Sequence, residues 1–566
     1  MNKRSARLTR LSTFARPARR VPRAPRPRLA SLSSLATLAL LTTLASPRAA
    51  SGQRAAIVDV NVVAMTDSVV LSGQTVLIDG ERIARLGPVD SIAVPEDARR
   101  IEGRGGYLMP GLVDAHAHLY REEELPLHVA SGVTTVQLLN AGFSERAWRD
   151  SVANGARLGP TLHPCGGPVS GLEDSVAAER AVATAVARGF DCIKPYGDIG
   201  PEAYRVLHEA ARRRGVRTVG HIPRQRTWQE MLRVRPSAVA HAEEFLYSPI
   251  ESAAAVDTIV EGMRSAGIAL ITTLANYDRI TRQVLELPEL ERRAELGVYS
   301  PVHRRAWSGD LNRYASFDLE QLPGLRRRLG FQRILVRRLA EAGATILAGT
   351  DAGNAFVLPG YSLHAELEAL VRSGLSAYRA LRAATVDAAR FLGTNAGTVE
   401  PGRRADLVLV YGDPLDDIAN AGLIGGVMVR GRWLDRADLR RLLDSTRAGF
   451  ALEEAYLARA DGEGVAAALA WLEGEVAGGR TAPGVIALNE HAFQLWRLED
   501  READAGRVFE ANARLHPESW IALASLAEWR IAEGDSASAR LLLERAARAS
   551  PGNPELAELI SSLGTT

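Results

Sequence analysis

Residues 107–118 read YLMPGLVDAHAH, an apolar run that ends in two histidines separated by one alanine. A short apolar run broken only by Pro and Gly reads as a buried strand. Side chains at i and i+2 of a strand point the same way, so His116 and His118 can grip one cation from the strand's end. Similar runs follow at 132–140, 161–166, 190–196, 217–222, 238–245, 268–276 and 345–351. Helical stretches rich in Ala, Arg and Glu separate most of them. Eight strand–helix units within 106–395 fit an α/β TIM barrel, (β/α)8, better than an open sheet.

The barrel reading turns scattered polar residues into a ring. Lys194 lies near the end of the fourth run, His221 near the end of the fifth, His241 in the sixth and Asp351 at the end of the eighth. Active sites of this fold sit at the C-terminal ends of the strands. A single HxH pair is weak evidence of a metal. Six residues in strand order, His116, His118, Lys194, His221, His241 and Asp351, are hard to explain as ordinary rim residues. Neutral imidazole and carboxylate suit Zn2+ or a similar divalent ion. The lysine is conspicuous, because the 566 residues contain only Lys3 and Lys194, with arginine at every other Lys/Arg position.

Both flanks of the barrel read as short strands with turns, at 53–105 and 396–437. They predict one small composite β-sandwich built from the two ends. An extra helical insertion at about 277–330 reads as a lid or a surface excursion. From 438 to 566 the pattern is helical, with a 34-residue period that carries Ala505, Phe509, Glu510 and Pro517 onto Ala539, Leu543, Glu544 and Pro551. This resembles tetratricopeptide repeats. Two clear units are fewer than the three usually needed, so a degenerate unit near 452–478, or docking onto the barrel, is expected. A protein or peptide partner for these repeats and a homo-oligomer are both compatible with the pattern.

A hydrophobic content of 46% with 24% charged residues excludes a mostly disordered chain, a collagen and a multi-span membrane protein. Residues 1–52 hold eleven basic residues and no acidic one. They also hold an apolar run at 29–44, shorter than the roughly 20 residues of a spanning helix. With the small residues Ala50, Ser51 and Gly52 they predict a signal peptide cut before Gln53, hence a secreted, periplasmic protein with no membrane span after cleavage. Cleavage would shift the net charge from +2 to −9 and leave Lys194 as the only lysine. No basic stripe then remains to suggest nucleic acid. Two cysteines, Cys165 and Cys192, are too few for a disulfide scaffold or a thiolate zinc cage. Cys165 reads as a packed thiol near the mouth, with ligand or nucleophile as the alternative.

Over about 54–434 the sequence resembles the amidohydrolase superfamily, in particular its imidazolonepropionase-like and Xaa-Pro dipeptidase-like branch. The motifs are PGLVDAHAHL (110–119), GVTTV (132–136), DCIKPYG (191–197), VGHIP (219–223), AHAEE (240–244), AGTDAG (348–353), LHAELEALVRSGL (363–375) and PGRRADLVLVYGDPLDDI (401–418). The resemblance implies a first metal on His116, His118 and Asp351, and a second on His221 and His241. It implies that Lys194 carries a CO2-derived carbamate bridging two Zn2+ ions per subunit. Lysine suits that role because a buried amine near cations is driven to its free form, whereas arginine stays protonated.

Asp351 matches the family's general base. His241 and Tyr196 are further catalytic candidates that orient the scissile carbonyl. His364, on the LHAELE run, is a candidate for binding a substrate carboxylate. His128, His208 and His303 read as ordinary helix or loop residues. The loops at 137–140 and 163–168 depart from related sequences and face the expected substrate.

The reading is therefore a metal-dependent hydrolase that cleaves an amide C–N bond in a small molecule, a dipeptide or N-acyl amino acid, by attack of metal-activated hydroxide. The alternatives are a lactonase or ester hydrolase on the same site, or a repeat-based binding protein on an inactive barrel.

Overall fold

The computed structural model describes residues 54–563 apart from 225, 226 and 251, so the expected signal peptide lies outside the described residues. The N-terminal flank forms β1 (Ala55–Val63), β2 (Val70–Asp79), β3 (Arg82–Pro88), β4 (Arg99–Glu102) and β5 (Tyr107–Pro110). The barrel comprises β6 (Leu112–Ala117), β7 (Val133–Ala141), β8 (Thr161–Val169), β9 (Cys192–Pro195), β10 (Arg217–Gly220), β11 (Ala238–Ala240), β12 (Ala269–Ile271) and β13 (Ile346–Leu347). The C-terminal flank adds β14 (Leu407–Val410), β15 (Ile424–Val429) and β16 (Arg432–Asp435).

The flanks make one eight-stranded sheet in the order β16-β15-β14-β5-β1-β2-β3, with β4 also on β1. The two ends of the chain meet where β5 pairs antiparallel with β14, from Tyr107 opposite Val410 to Pro110 opposite Leu407. The run 107–118 is thus two strands in two sheets. Gly111 is the switch. A Cβ there would stand 2.2 Å from Thr134 Oγ1, so only glycine lets the backbone pass so close to β7.

The barrel strands are parallel in the order β6 to β13. Ala115 N donates to Ala348 O at 2.9 Å and Thr350 N to His116 O at 3.0 Å, which brings the last strand back to the first. Small and branched side chains fill the interior, among them Val113, Ala115, Leu139, Val219, Ile271 and Leu347. Cys165 and Cys192 lie in the same cluster, on β8 and β9, and are bonded to each other. The free packed thiol expected at Cys165 is therefore replaced by a disulfide. Its sulfur is spent, which removes the ligand and nucleophile alternatives.

The late strands are shorter than the sequence runs. The run 238–245 leaves strand geometry at His241 and 268–276 at Thr273, with φ of +86° and +47°. Asn140 and Asp351, at the ends of β7 and just past β13, also take positive φ, +88° and +59°. Non-glycine residues in this region are strained, and such strain gathers at functional sites. Here it bends the chain at four strand ends around the mouth of the barrel.

Beyond β16 the chain turns helical at once. Asp435 caps the next helix, accepting from the Ala437 and Asp438 amides at 2.8 Å each. Helical hairpins follow, including Ala451–Gly462 with Val465–Ala477, where the degenerate unit was expected. At the 34-residue spacing, Ala505 and Ala539, and Phe509 and Leu543, are all buried.

This helical domain is docked on the barrel. Arg121, just past β6, donates to Glu453 Oε2 and Ser300 Oγ at 2.7 Å each, and both members of the ion pair are 2% exposed at the side chain. Leaving one member of such a buried pair alone costs about 3–5 kcal/mol. Val302, from the insertion, is buried in the core of the helical domain with Leu452 and Leu488. The insertion is thus neither a free lid nor a loose excursion. Its short helix Pro301–Arg305 is the platform on which the helical domain sits.

Candidate metal centre

The geometry brings six expected side chains together around Asp351. Asp351 Oδ1 lies 3.1 Å from His116 Nε2 and 3.0 Å from His118 Nε2. Ligand atoms of these three residues all fall within 4.8 Å of one another. Lys194 Nζ is 3.4 Å from His116 Nε2. The His241 ring is centred 4.5 Å from that of His116 and 5.1 Å from that of His221. Tyr196 lies 4.6 Å, ring to ring, from His221. The side chains come from β6, β9 and the turns after β6, β9, β10, β11 and β13, all at one end of the barrel.

Electrostatics suit metal binding. Burial, with Lys194 nearby, holds His116 and His118 below the usual imidazole range. Burial also carries His241 down to about 3, so these rings stay neutral, the form that coordinates a cation. Burial alone would raise Asp351. The neighbouring His116 and His241, and hydrogen bonds from His116 and His118, outweigh it and keep the carboxylate ionised. Burial lowers the Lys194 amine to about 8, partly opposed by Asp351 and Glu244. It lifts the Tyr196 phenol to about 12, so that group remains a hydrogen-bond donor.

A supporting layer, which sequence reasoning missed, orients these groups. Glu244 is fully buried. It takes His221 Nδ1 at 2.8 Å, the Ile222 amide at 2.8 Å and Arg224 at 2.6 and 2.9 Å. Burial would raise Glu244, but His221 and Arg224 bring it down to about 2. His241 Nδ1 pairs with Thr273 Oγ1 at 2.9 Å. In both histidines Nε2 is left as the open ring nitrogen, as a second partner on a ligand imidazole requires.

Asp351 Oδ2 accepts from Asn276 at 2.8 Å and from Asn354 at 2.6 Å. Asp114 Oδ2 accepts from Thr350 Oγ1 at 2.6 Å, and Oδ1 from the His116 and Thr350 amides at 3.1 Å each, bracing the HxH strand against the Asp351 turn. Asp114, Glu244 and Asn276 all lie inside quoted runs. What sequence lacked was the partner each one meets.

One expected residue is not brought to the cluster. His364, on the helix Tyr361–Arg372, points Nε2 at the Ser131 carbonyl, 2.9 Å away and next to the start of β7, the barrel end opposite the mouth. A substrate carboxylate at the metal cluster is out of its reach, and the LHAELE run is structural. Its Glu366 takes the Thr272 hydroxyl and, at 2.6 Å, the Ala275 amide, tying that helix to the turn after β12.

The donor set fits a divalent cation, with four imidazoles, one carboxylate and one amine, nearly all buried, converging from separate strands. Comparison with known proteins agrees. Residues 107–434 match the model of the amidohydrolase family. An imidazolonepropionase of Rubrobacter xylanophilus is 28% identical over 387 residues, 60% of this chain and 85% of that protein. Among solved structures, a bottromycin amidohydrolase is 25% identical with a TM-score of 0.59, covering 70% of this chain and 91% of its own. A Xaa-Pro dipeptidase with bound methionine shares the fold at 18% identity and a TM-score of 0.55, over 68% of this chain and all of its own. The match to the family model spans more than half of the chain and contains the whole polar cluster, so the chain belongs to the amidohydrolase family, whose members are hydrolases acting on carbon–nitrogen bonds.

Proposed function

We propose that this protein is an exported, binuclear zinc hydrolase that cleaves an amide bond in a dipeptide or N-acyl amino acid. The observation that carries the reading is the convergence of His116, His118, Lys194, His241 and Asp351, with His221 beside them. His116, His118 and Asp351 would hold one ion, and His221 and His241 the other. Lys194, with its amine at about 8, could add CO2 and lose a proton, and the resulting carbamate would offer oxygen ligands to the ions. When bound, the ions supply a polarised carbonyl and a hydroxide near neutral pH.

The chain's own residues do the rest. Asp351, fixed by the Asn276 and Asn354 amides, takes the proton released on attack and delivers it to the departing nitrogen as the C–N bond breaks. Tyr196 flanks the cluster, where its hydroxyl can donate to the carbonyl oxygen as it gains charge. The Cys165–Cys192 disulfide supports export, because such bonds persist in oxidising compartments. No described helix is long and apolar enough to cross a membrane.

The test is metal analysis of purified protein, followed by a panel of dipeptides, N-acyl amino acids and lactones. Bound zinc with amide turnover is the expected result. Zinc-free protein sinks the reading, and turnover of lactones alone would replace amide with ester chemistry.

A further inference from the structure

The family match ends at residue 434, yet the helical domain beyond it is built onto the mouth of the barrel. It grips Arg121 just past β6 through Glu453. It caps the loop after β7, where Phe143 N donates to Glu555 Oε1 at 2.9 Å and Trp520 meets the Phe143 ring at 6.1 Å. It also holds the Pro301–Arg305 helix of the insertion after β12. Loops after three of the eight barrel strands therefore carry this domain, all at the end where the metal cluster lies.

A group of polar and aromatic side chains lies along that seam. Tyr120 is 40% exposed and stacks on His118, with ring centres 6.3 Å apart. His303 is the next ring outward, 5.1 Å from Tyr120. Glu124 Oε1 and His303 Nδ1 are buried and 3.6 Å apart, with the Tyr299 side chain also beside Glu124. Glu490, on the helix Val485–Arg497 of the docked domain, lies one turn before Gln494, whose amide donates to the Val302 carbonyl at 2.8 Å, so it stands on the helix face turned to Pro301–Arg305. It is half-buried and has no hydrogen bond or ion pair among the described residues. The neighbouring arginines are already committed, Arg121 to Glu453 and Ser300 and Arg497 to Glu528. What remains is carboxylate oxygen and an aromatic face, the partners of an ammonium group.

We propose that the helical domain is one wall of the substrate site, and that Glu490, with Glu124 and the Tyr120 ring, receives a protonated amine of the substrate. The scissile bond would lie at the metal cluster and the amine two ring contacts outward. This rests on the amide-hydrolase reading and adds a cationic end to the substrate class. It makes Glu490 a specificity residue supplied by a domain outside the family match.

The test compares lysyl-alanine, lysyl-leucine and lysyl-proline, whose side-chain amine can extend about 7 Å from the scissile carbonyl, with their Nε-acetyl forms on the zinc-loaded full chain. Wild type should favour the free side-chain amines. Glu490→Gln should raise KM for the free side-chain amines about tenfold, as loss of one charge partner predicts, with kcat and the Nε-acetyl compounds little changed. Glu490→Asp should recover part of the preference. A preference identical in wild type and Glu490→Gln overturns the proposal.

If wild type hydrolyses none of these compounds, the substrate reading of the preceding section falls, and the wall is judged separately. The native cysteines are paired, so Glu490→Cys introduces the only free thiol. A bulky maleimide on it should slow zinc extraction by dipicolinate roughly tenfold or more. The same label on Leu541→Cys, at an outward position 64% exposed, should not. Equal extraction rates overturn the proposal, and protein that binds no zinc overturns both readings.

Discussion

Two groups of buried histidines occupy different regions of this molecule. His116 and His241 stand at the barrel mouth, 0% and 4% exposed. His128, His208 and His491 stand in the helices around and beyond the barrel, at most 1% exposed. Burial lowers His241, His128, His208 and His491 alike to about 3. Burial and a depressed pKa therefore do not separate the groups. Convergence does. His241 has two other imidazole rings about it and Asp351 within electrostatic reach. His208 meets Thr218, His491 meets Tyr456, and both ring nitrogens of His128 lack a hydrogen-bond partner among the described residues. A neutral imidazole is a ligand only where other donors share its target.

The largest effect should come from the centre of the first group. Asp351→Asn keeps the shape but removes the proton acceptor, so amide turnover should fall by about 10³-fold or more. Activity within tenfold of wild type would place the base elsewhere. Lys194→Arg should come next. Its permanent charge cannot become a bridging ligand, so metal analysis should find one zinc lost per chain, and full retention argues against a carbamate bridge. Glu244→Gln touches no substrate but loosens His221. Zinc affinity by chelator competition should weaken about 10–100-fold, and an unchanged affinity would deny Glu244 its positioning role.

The smallest effect belongs to the second group. His128 titrates near 3 when folded and near 6.5 when unfolded, so the unfolded chain binds the proton first. Its contribution is full above about pH 6.5 and is lost as pH falls toward 3, amounting to about 2 kcal/mol at pH 5. His128→Leu lacks that loss. Urea midpoints at pH 7 and pH 5 should drop less in the variant than in wild type, and equal drops would mean that His128 is not buried neutral.

The same contrast explains what was legible in the sequence. Periodicity and strand order placed His116, His118, Lys194, His221, His241 and Asp351 at one rim, because a parallel barrel puts every strand end on one face. The division of 107–118 between two sheets was not legible, because it depends on how closely Gly111 approaches Thr134, far away in the other half of the contact. Nor was the fate of His364, whose helix turns it to the Ser131 carbonyl. The cysteines, 27 residues apart, pair only because β8 and β9 set Cys165 opposite Cys192.

By itself, the sequence determined which chemistry the chain can perform. Residue types and their strand positions are local properties, and neutral imidazoles, one carboxylate and a lone internal lysine admit few uses together. Tertiary structure decided how those groups are held and what surrounds them. Glu244 behind His221, the two amides on Asp351 and the helical domain seated at the mouth all pair residues distant in sequence. Such pairings are set by the packing of whole elements, which no local pattern encodes.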